Sequence, residues 1–252
     1  MKSIKIFLVI AALSSGSSLL AQQKGAIFVG VNAVISLPVG NWGKTSTASS
    51  LMSINGTIND VHGYAKTGAF GSIEGAWFFS EHFAIGAMFK YGEHNLKGVD
   101  SLSQGYEESF DVDTTRTTHS SYKIWSIMPG LFYNLAIGKR LSFVGKVLVG
   151  IAEASTPDIT ITIEDGGVFD PPVEQYSSSK IAVAFDAGAG LRYAVNKCLA
   201  INFSADYFYA RPDFTISNSH RNTNAGREVY QYDQPLESLN ASLGVAYIFG
   251  KK

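Results

Sequence analysis

The chain has 252 residues and a formal net charge of −1, with 16% charged and 12% aromatic side chains. Soluble domains contain nearer 25% charged residues, so this composition indicates a surface that does not face water throughout. The near-neutral charge gives no reason to expect a nucleic-acid partner, and the single cysteine, Cys198, excludes an intramolecular disulfide framework.

Residues 1–21 have the layout of a secretory signal peptide. Lys2 and Lys5 precede an apolar run over residues 6–13, and a stretch of small residues then ends at Ala21. The apolar run is shorter than the roughly 20 residues that a helical membrane span needs. We therefore expect cleavage after Ala21, which leaves residues 22–252 as one domain.

Eight strands are predicted, because segments that alternate apolar residues with small or polar ones recur along the mature chain. Their approximate bounds are 25–39, 66–79, 83–95, 120–136, 140–154, 179–195, 198–212 and 238–249. In the last segment, every second residue from Leu239 to Phe249 is apolar, and a period of two places these residues on one face. Pro129 lies inside the fourth segment, and because proline cannot donate to a ladder we expect a bulge there.

The connections between these segments alternate strictly in length. Short connections fall at 80–82, 137–139 and 196–197, and long ones at 40–65, 96–119, 155–178 and 213–237. Outer-membrane barrels combine an even strand number with tight turns on one side and long loops on the other. We therefore predict an all-β fold, an eight-stranded antiparallel up-and-down transmembrane β-barrel. In the third long loop, residues 160–163 followed by Asp165-Gly166-Gly167 predict a strand that continues past the membrane into a hairpin turn.

Charged residues also occur on the face opposite the apolar one. They are Glu74, Lys90, Lys146, Asp186, Arg192 and Asp206. Exposing such groups to hydrocarbon costs several kcal/mol each, so we predict that they form a structural charge network inside the barrel, with Lys146 beside Asp186. An eight-stranded barrel is just wide enough to be filled by its own side chains, and the interior is therefore predicted to be plugged.

Aromatic residues cluster toward both ends of the predicted strands. Near the short turns lie Trp77, Phe79, Phe83, Tyr133, Phe143, Tyr193 and Tyr247, and toward the long loops lie Tyr91, Trp125, Tyr207 and Tyr209. Two belts are expected where a barrel meets the two membrane interfaces. The alternatives are the core of a soluble sandwich and a lipocalin-like barrel, but the opposite faces carry glycines and charges that suit neither interior.

From about Lys24 to Phe249 the chain resembles the outer-membrane β-barrel domain family, whose small eight-stranded members are OmpA- and OmpX-like. Gly244, Tyr247 and Phe249 resemble the terminal-strand signal that the barrel-assembly machinery reads, although Gly250-Lys251-Lys252 follow the last aromatic residue. The resemblance implies a monomer in the outer membrane of a Gram-negative-type cell, with periplasmic termini. It also implies contact with outer-membrane lipid and lipopolysaccharide, insertion by the assembly machinery, and an extracellular or envelope partner bound by the loops.

One short motif raises the question of enzymatic activity. His119 and Ser121 form a His-x-Ser pair, similar to the pair with which small-barrel lipid A deacylases activate a serine, and residues i and i+2 of a strand share a face. The flanking Thr-Thr-His-Ser-Ser tract is equally typical of a polar loop. His62, His94 and His220 are interpreted as solvated loop histidines, and the acidic residues of the third long loop as solvated decoration in preference to a weak calcium site.

The chain shows no CxxC, HExxH, GxSxG or phosphate-loop motif, so we predict no catalytic residues, no metal site and no cofactor. The role predicted is structural or partner-binding in the cell envelope. A lipid-modifying enzyme and a small passive channel remain alternatives.

Overall fold

A computed structural model describes residues 24–45, 62–99, 103–104, 107–108, 111–165, 167–169, 172–219 and 227–250. The predicted signal peptide lies outside these residues. The strands within them are, in chain order, β1 Ile27–Pro38, β2 Gly68–Phe78, β3 Phe83–His94, β4 Thr114–His119, β5 Tyr122–Ala136, β6 Leu141–Ser155, β7 Ile159–Asp165, β8 Val168–Phe169, β9 Val173–Tyr176, β10 Ser179–Ala194, β11 Leu199–Ala210, β12 Asp213–Ser219, β13 Arg227–Asp233 and β14 Leu236–Phe249. Among these residues, no helix is long and apolar enough to cross a membrane.

Eight strands close into an antiparallel barrel in the order β1-β14-β11-β10-β6-β5-β3-β2. Each barrel strand pairs with its neighbours in the barrel, and β1 meets β14 to complete the wall, with Ile27 opposite Phe249. The bounds of all eight strands agree with the predicted segments to within two residues. The predicted eight-stranded up-and-down barrel is therefore confirmed.

Side chains alternate strictly between the two faces of the barrel wall, and the apolar face points outward. Along β1, odd-numbered residues are exposed and even-numbered ones are buried as far as Ser36. Val31, Val147 and Leu243 are 59%, 67% and 60% exposed on three different strands. A water-soluble barrel would bury such residues, whereas a membrane barrel turns them toward acyl chains.

The wall continues past the barrel as a second sheet, with the order β13-β12-β9-β7-β4 and β8 paired with β7. Each of the five main strands adjoins a barrel strand in the chain, so their order repeats that of β14, β11, β10, β6 and β5. Asp165 pairs with Val168 and Gly167 has a φ of 78°, which confirms the predicted hairpin turn. The other strands of this sheet lie in segments that were predicted only as long loops.

The bulge predicted at Pro129 is wrong. Ala87 pairs with Pro129 in an unbroken register with β3. On the other side, Ile127 pairs with Ile151 and Gly130 with Leu148, so the register with β6 is the same before and after the proline. Because ladder bonds above and below hold the strand in place, the missing N–H is accommodated by omitting ladder pairs rather than by inserting a residue.

Candidate functional site

The centre of the barrel contains two lysines and two aspartates, which we call the lumen ion-pair cluster: Lys90, Lys146, Asp186 and Asp206. Lys90 Nζ lies 3.4 Å from Asp186 Oδ2. Lys146 Nζ lies 3.7 Å from Asp186 Oδ1 and 3.5 Å from Asp206 Oδ2. All four side chains are on the inward face of the alternating pattern, so burial of the charges is compensated by opposite charges at short range.

A glycine makes room for this arrangement. Gly188 pairs with Lys146 on one side and with Asp206 on the other. A Cβ atom at Gly188 would lie only 2.5 Å from the Asp206 Cβ. The absence of a side chain therefore lets the Lys146 ammonium reach over Gly188 to a carboxylate on the next strand but one.

Two further contacts hold the cluster, and neither is predicted from the sequence. Asn240 Nδ2 donates a hydrogen bond to Asp206 Oδ1 over 2.9 Å, and Lys90 Nζ lies 4.1 Å from the centroid of the Phe208 ring. Asn240 and Phe208 are both inward-facing residues of strands whose alternation was recognised. Their inward position in the alternation of each strand, and not their residue type, is the feature from which they could have been predicted.

Arg192 and Glu74 lie on the short-turn side of the cluster. Arg192 Nε donates to Asn202 Oδ1 over 2.8 Å, and its guanidinium carbon lies 4.2 Å from the Phe28 ring centroid. Glu74 makes no ion pair within 4.0 Å with a described residue, but it interacts electrostatically with Lys146 and Arg192. The structure thus brings four of the six predicted charges into ion pairs and places the other two nearby.

A cavity of about 30 Å³ lies next to these two residues. Its lining includes Phe28, Glu74, Phe132, Lys146, Arg192 and Asn202. Within the described part of the chain, Arg192 Nη1 and Asn202 Nδ2 are buried without a hydrogen-bond partner. A space of this size holds about one water molecule, and both donors belong to residues that line it.

Above the lumen, toward the second sheet, the interior becomes aromatic. The Trp42 ring centroid lies 4.4 Å from that of His94 and 6.1 Å from that of Tyr122, and all three side chains are fully buried. The interpretation of His94 as a solvated loop histidine is therefore wrong. Its burial could have been predicted, because His94 occupies an inward-facing position in the alternation of β3. His62 is half-buried, and His220 lies outside the described residues.

The structure does not join His119 to Ser121. His119 Nδ1 lies 3.0 Å from the Ser120 carbonyl oxygen, whereas Ser121 Oγ donates to Asn95 Oδ1. Among the described residues, no hydrogen bond connects the imidazole to the Ser121 hydroxyl. A deacylase-like mechanism requires that connection to remove the serine proton, so this geometry does not favour the enzymatic alternative.

The three residues that resemble an assembly signal all lie on β14. Tyr247 and Phe249 are 46% and 49% exposed, and their ring centroids are 4.6 Å apart on the outer face. Gly244 faces inward opposite Asn32, and a Cβ atom there would clash with Asn32 Oδ1. The outer aromatic pair is accessible to a binding protein, whereas Gly244 serves close packing. Recognition by the assembly machinery stays a prediction.

No protein-family model and no curated protein matches the chain. Similar solved structures include Ail, the attachment invasion locus protein of Yersinia pestis, with 14% identity and a TM-score of 0.45 over 90% of this chain and 100% of that chain. OprG from Pseudomonas aeruginosa is 12% identical with a TM-score of 0.49, over 91% and 98%. A major outer membrane protein from Thermus thermophilus is 12% identical with a TM-score of 0.48, over 88% and 99%.

Proposed function

We propose that this protein is an integral outer-membrane β-barrel with a plugged lumen, and that its loop side has a structural or partner-binding role in the cell envelope. The observation that carries the proposal is the inverted distribution of side chains. Aliphatic and aromatic residues cover the outer wall, whereas two lysines and two aspartates pair inside it. Only a surrounding of acyl chains makes both faces favourable at once.

The outer wall supports membrane insertion on energetic grounds. Removing one large aliphatic side chain from water contributes roughly 1.5–3 kcal/mol, and exposed residues of this kind occur on every barrel strand. They include Ile35 on β1, Ile73 on β2, Ile85 on β3, Leu131 on β5, Val149 on β6, Val183 on β10, Ile201 on β11 and Val245 on β14. Dispersed in water, such a surface would drive aggregation.

The interior supports a plugged lumen. The ion pair between Lys90 and Asp186 joins β3 to β10, and in the closed order of strands β5 and β6 lie between these two. The side chains therefore cross the lumen instead of lining a channel. The cavity beneath them measures about 30 Å³, which is room for about one water molecule, and this supports a plugged lumen over the passive-channel alternative.

The second sheet supports a partner-binding role for the loop side. Ile161, Phe214 and Ile216 are buried in the second sheet, so these strands form a folded platform whose apolar core is continuous with that of the barrel. Function in such proteins is concentrated in loops carried by a rigid scaffold. We propose that the partner contacts this platform on the extracellular side and that both termini lie in the periplasm, because tight turns of such barrels face the periplasm.

The test is reconstitution of the mature chain into lipid vesicles. We expect a compact band on unheated gels that shifts after boiling, and protease resistance of the barrel strands. We also expect no conductance steps above background when the vesicles are fused to a planar bilayer.

Recovery of the mature chain as a dispersed monomer in detergent-free buffer would overturn the membrane assignment. Regular single-channel conductance from the folded protein would overturn the plugged lumen while leaving the membrane assignment intact. Binding of intact cells or envelope components that is lost when the platform is removed would support the partner-binding role.

A further inference from the structure

A second cavity lies at the short-turn end of the barrel, outside the lumen. It measures about 220 Å³ and is lined by Lys139, Arg140, Ala194, Val195, Asn196 and Lys197. These residues come from the β5–β6 turn and from the end of β10 with the β10–β11 turn. The Ala194 N–H donates to the Arg140 carbonyl oxygen over 2.8 Å, which fixes the two turns side by side. We call this feature the turn groove.

Three of the six lining residues are cations. Lys139, Arg140 and Lys197 are exposed, and none of them forms an ion pair within 4.0 Å with a described residue. The Asn196 side-chain oxygen accepts hydrogen bonds from the N–H groups of Cys198 and Leu199, each over 2.9 Å. This turn geometry holds the backbone beside Lys197 in a defined conformation.

Among the three described short turns, only these two contain lysine or arginine. The third, between β2 and β3, consists of Phe79, Ser80, Glu81 and His82. Cations held together without acidic partners repel one another unless an anion or solvent screens them. The turn groove is therefore complementary to a compact anionic group.

The surroundings of the groove indicate which anion it meets. The groove is bordered by exposed apolar side chains, which are Ile137 (43% exposed), Phe143 (38%), Tyr193 (46%) and Val195 (41%). They belong to the apolar outer wall, with aromatic rings of the type that settles at the membrane interface. The groove thus opens at the edge of the apolar outer surface. In an inserted barrel this edge lies at the level of the lipid phosphates.

We propose that the turn groove binds the phosphate headgroup of an anionic phospholipid in the leaflet at the short-turn end of the barrel. Lys139, Arg140 and Lys197 bind the phosphate oxygens, and the acyl chains lie along Phe143, Tyr193 and Val195. This proposal rests on the proposed function, because the lipid reaches the groove only when the barrel is inserted. A free phosphate ion shares the headgroup chemistry but lacks the apolar contacts.

The test compares three forms of the mature chain in vesicles of equal parts phosphatidylglycerol and phosphatidylcholine. They are the wild type, the groove variant K139Q/R140Q/K197Q, and the control variant K66Q/K123Q/K180Q. The control removes the same charge from exposed lysines toward the opposite end of the barrel. After extraction into neutral detergent, native mass spectrometry counts the lipids that remain bound, and a heat-dependent gel shift reports folding.

Each cation near an anionic lipid surface strengthens attraction by roughly fivefold. We therefore expect the wild type and the control variant to retain phosphatidylglycerol over phosphatidylcholine by at least about fivefold. The groove variant should fold equally well and retain the two lipids in nearly equal amounts. Addition of inorganic phosphate at millimolar concentration should leave the bound lipid in place.

Three outcomes would overturn the lipid site. They are an undiminished preference in the folded groove variant, an equal loss of preference in both variants, and displacement of the lipid by inorganic phosphate. Failure of the wild type to insert would overturn the proposed function and the lipid site with it. Insertion without lipid preference would overturn only the site.

Discussion

At the scale of single residues, the stability of the barrel interior depends on a few inward-facing positions. Lys146 is the only residue of the lumen ion-pair cluster that contacts both aspartates. Gly188 provides the space that makes this double contact possible. Substitutions at these two positions test the interior independently of the lipid-facing surface.

Replacing Lys146 with methionine removes the base between Asp186 and Asp206 and leaves Lys90 as the cation of the cluster. Breaking a buried ion pair on one side costs about 3–5 kcal/mol, so we expect the free energy of unfolding to fall by about that amount. Urea titration of the barrel in lipid micelles or vesicles measures it.

The matched control for that experiment is the double variant K146M/D206N, which removes one charge of each sign. It should recover part of the lost stability because only one carboxylate then faces Lys90. A K146M protein as stable as the wild type would contradict the importance of the pairing.

Replacing Gly188 with alanine brings a methyl group within 2.7 Å of the Ala205 carbonyl oxygen and 2.5 Å of the Asp206 Cβ. Overpacking of this kind costs about 1–3 kcal/mol, and the same urea titration should show it. Gly71 offers the control, because a Cβ atom there meets nothing within 4 Å, and G71A should unfold like the wild type. Equal stability of the two alanine variants would count against the close approach at Gly188.

At the scale of strands, the barrel was readable from the sequence because each of its eight strands is long and keeps a period of two. Of the second sheet, only the β7 hairpin was readable. The strand β9 has four residues, and β4 reads Thr-Thr-Arg-Thr-Thr-His, which contains no apolar residue to show a face. Alternation also predicted which charges point inward. It could not predict that Lys90 reaches Asp186, because that pair joins strands that are not neighbours and depends on the diameter of the closed barrel.

We expect the second sheet to unfold locally while the barrel stays folded. Phe214 on β12 is fully buried against Tyr232 on β13, with ring centroids 5.7 Å apart. Replacing it with alanine costs about 3–5 kcal/mol of local packing. Hydrogen exchange should then show lost protection in β12 and β13 and unchanged protection in β11 and β14.

Thr215 on the same strand is the control position, because its side chain is only half-buried. T215A should leave the exchange pattern of all four strands close to that of the wild type. Loss of protection in β11 and β14 of the F214A protein would mean that the platform and the barrel unfold as one unit.

At the scale of the whole molecule, two of the three tryptophans of the chain report on the outer surface and on the interior of the barrel. Trp77 is 48% exposed on the outer wall, whereas Trp42 is fully buried in the interior. In vesicles containing brominated lipid, a protein retaining only Trp77 (W42F/W125F) should lose most of its fluorescence. A protein retaining only Trp42 (W77F/W125F) should lose little. Equal quenching of the two would contradict the outward orientation of the apolar face.

The ion pairs of the lumen are also distributed unevenly around the wall. They brace β3, β6, β10 and β11 against one another, whereas β1, with the sequence Ile-Phe-Val-Gly-Val-Asn-Ala-Val-Ile-Ser-Leu-Pro, has no ionisable side chain to contribute. The seam between β1 and β14 is therefore closed by its backbone ladder of twelve residue pairs, without these ion pairs. Loss of the interior charges should therefore loosen β3, β6, β10 and β11 before it loosens this seam.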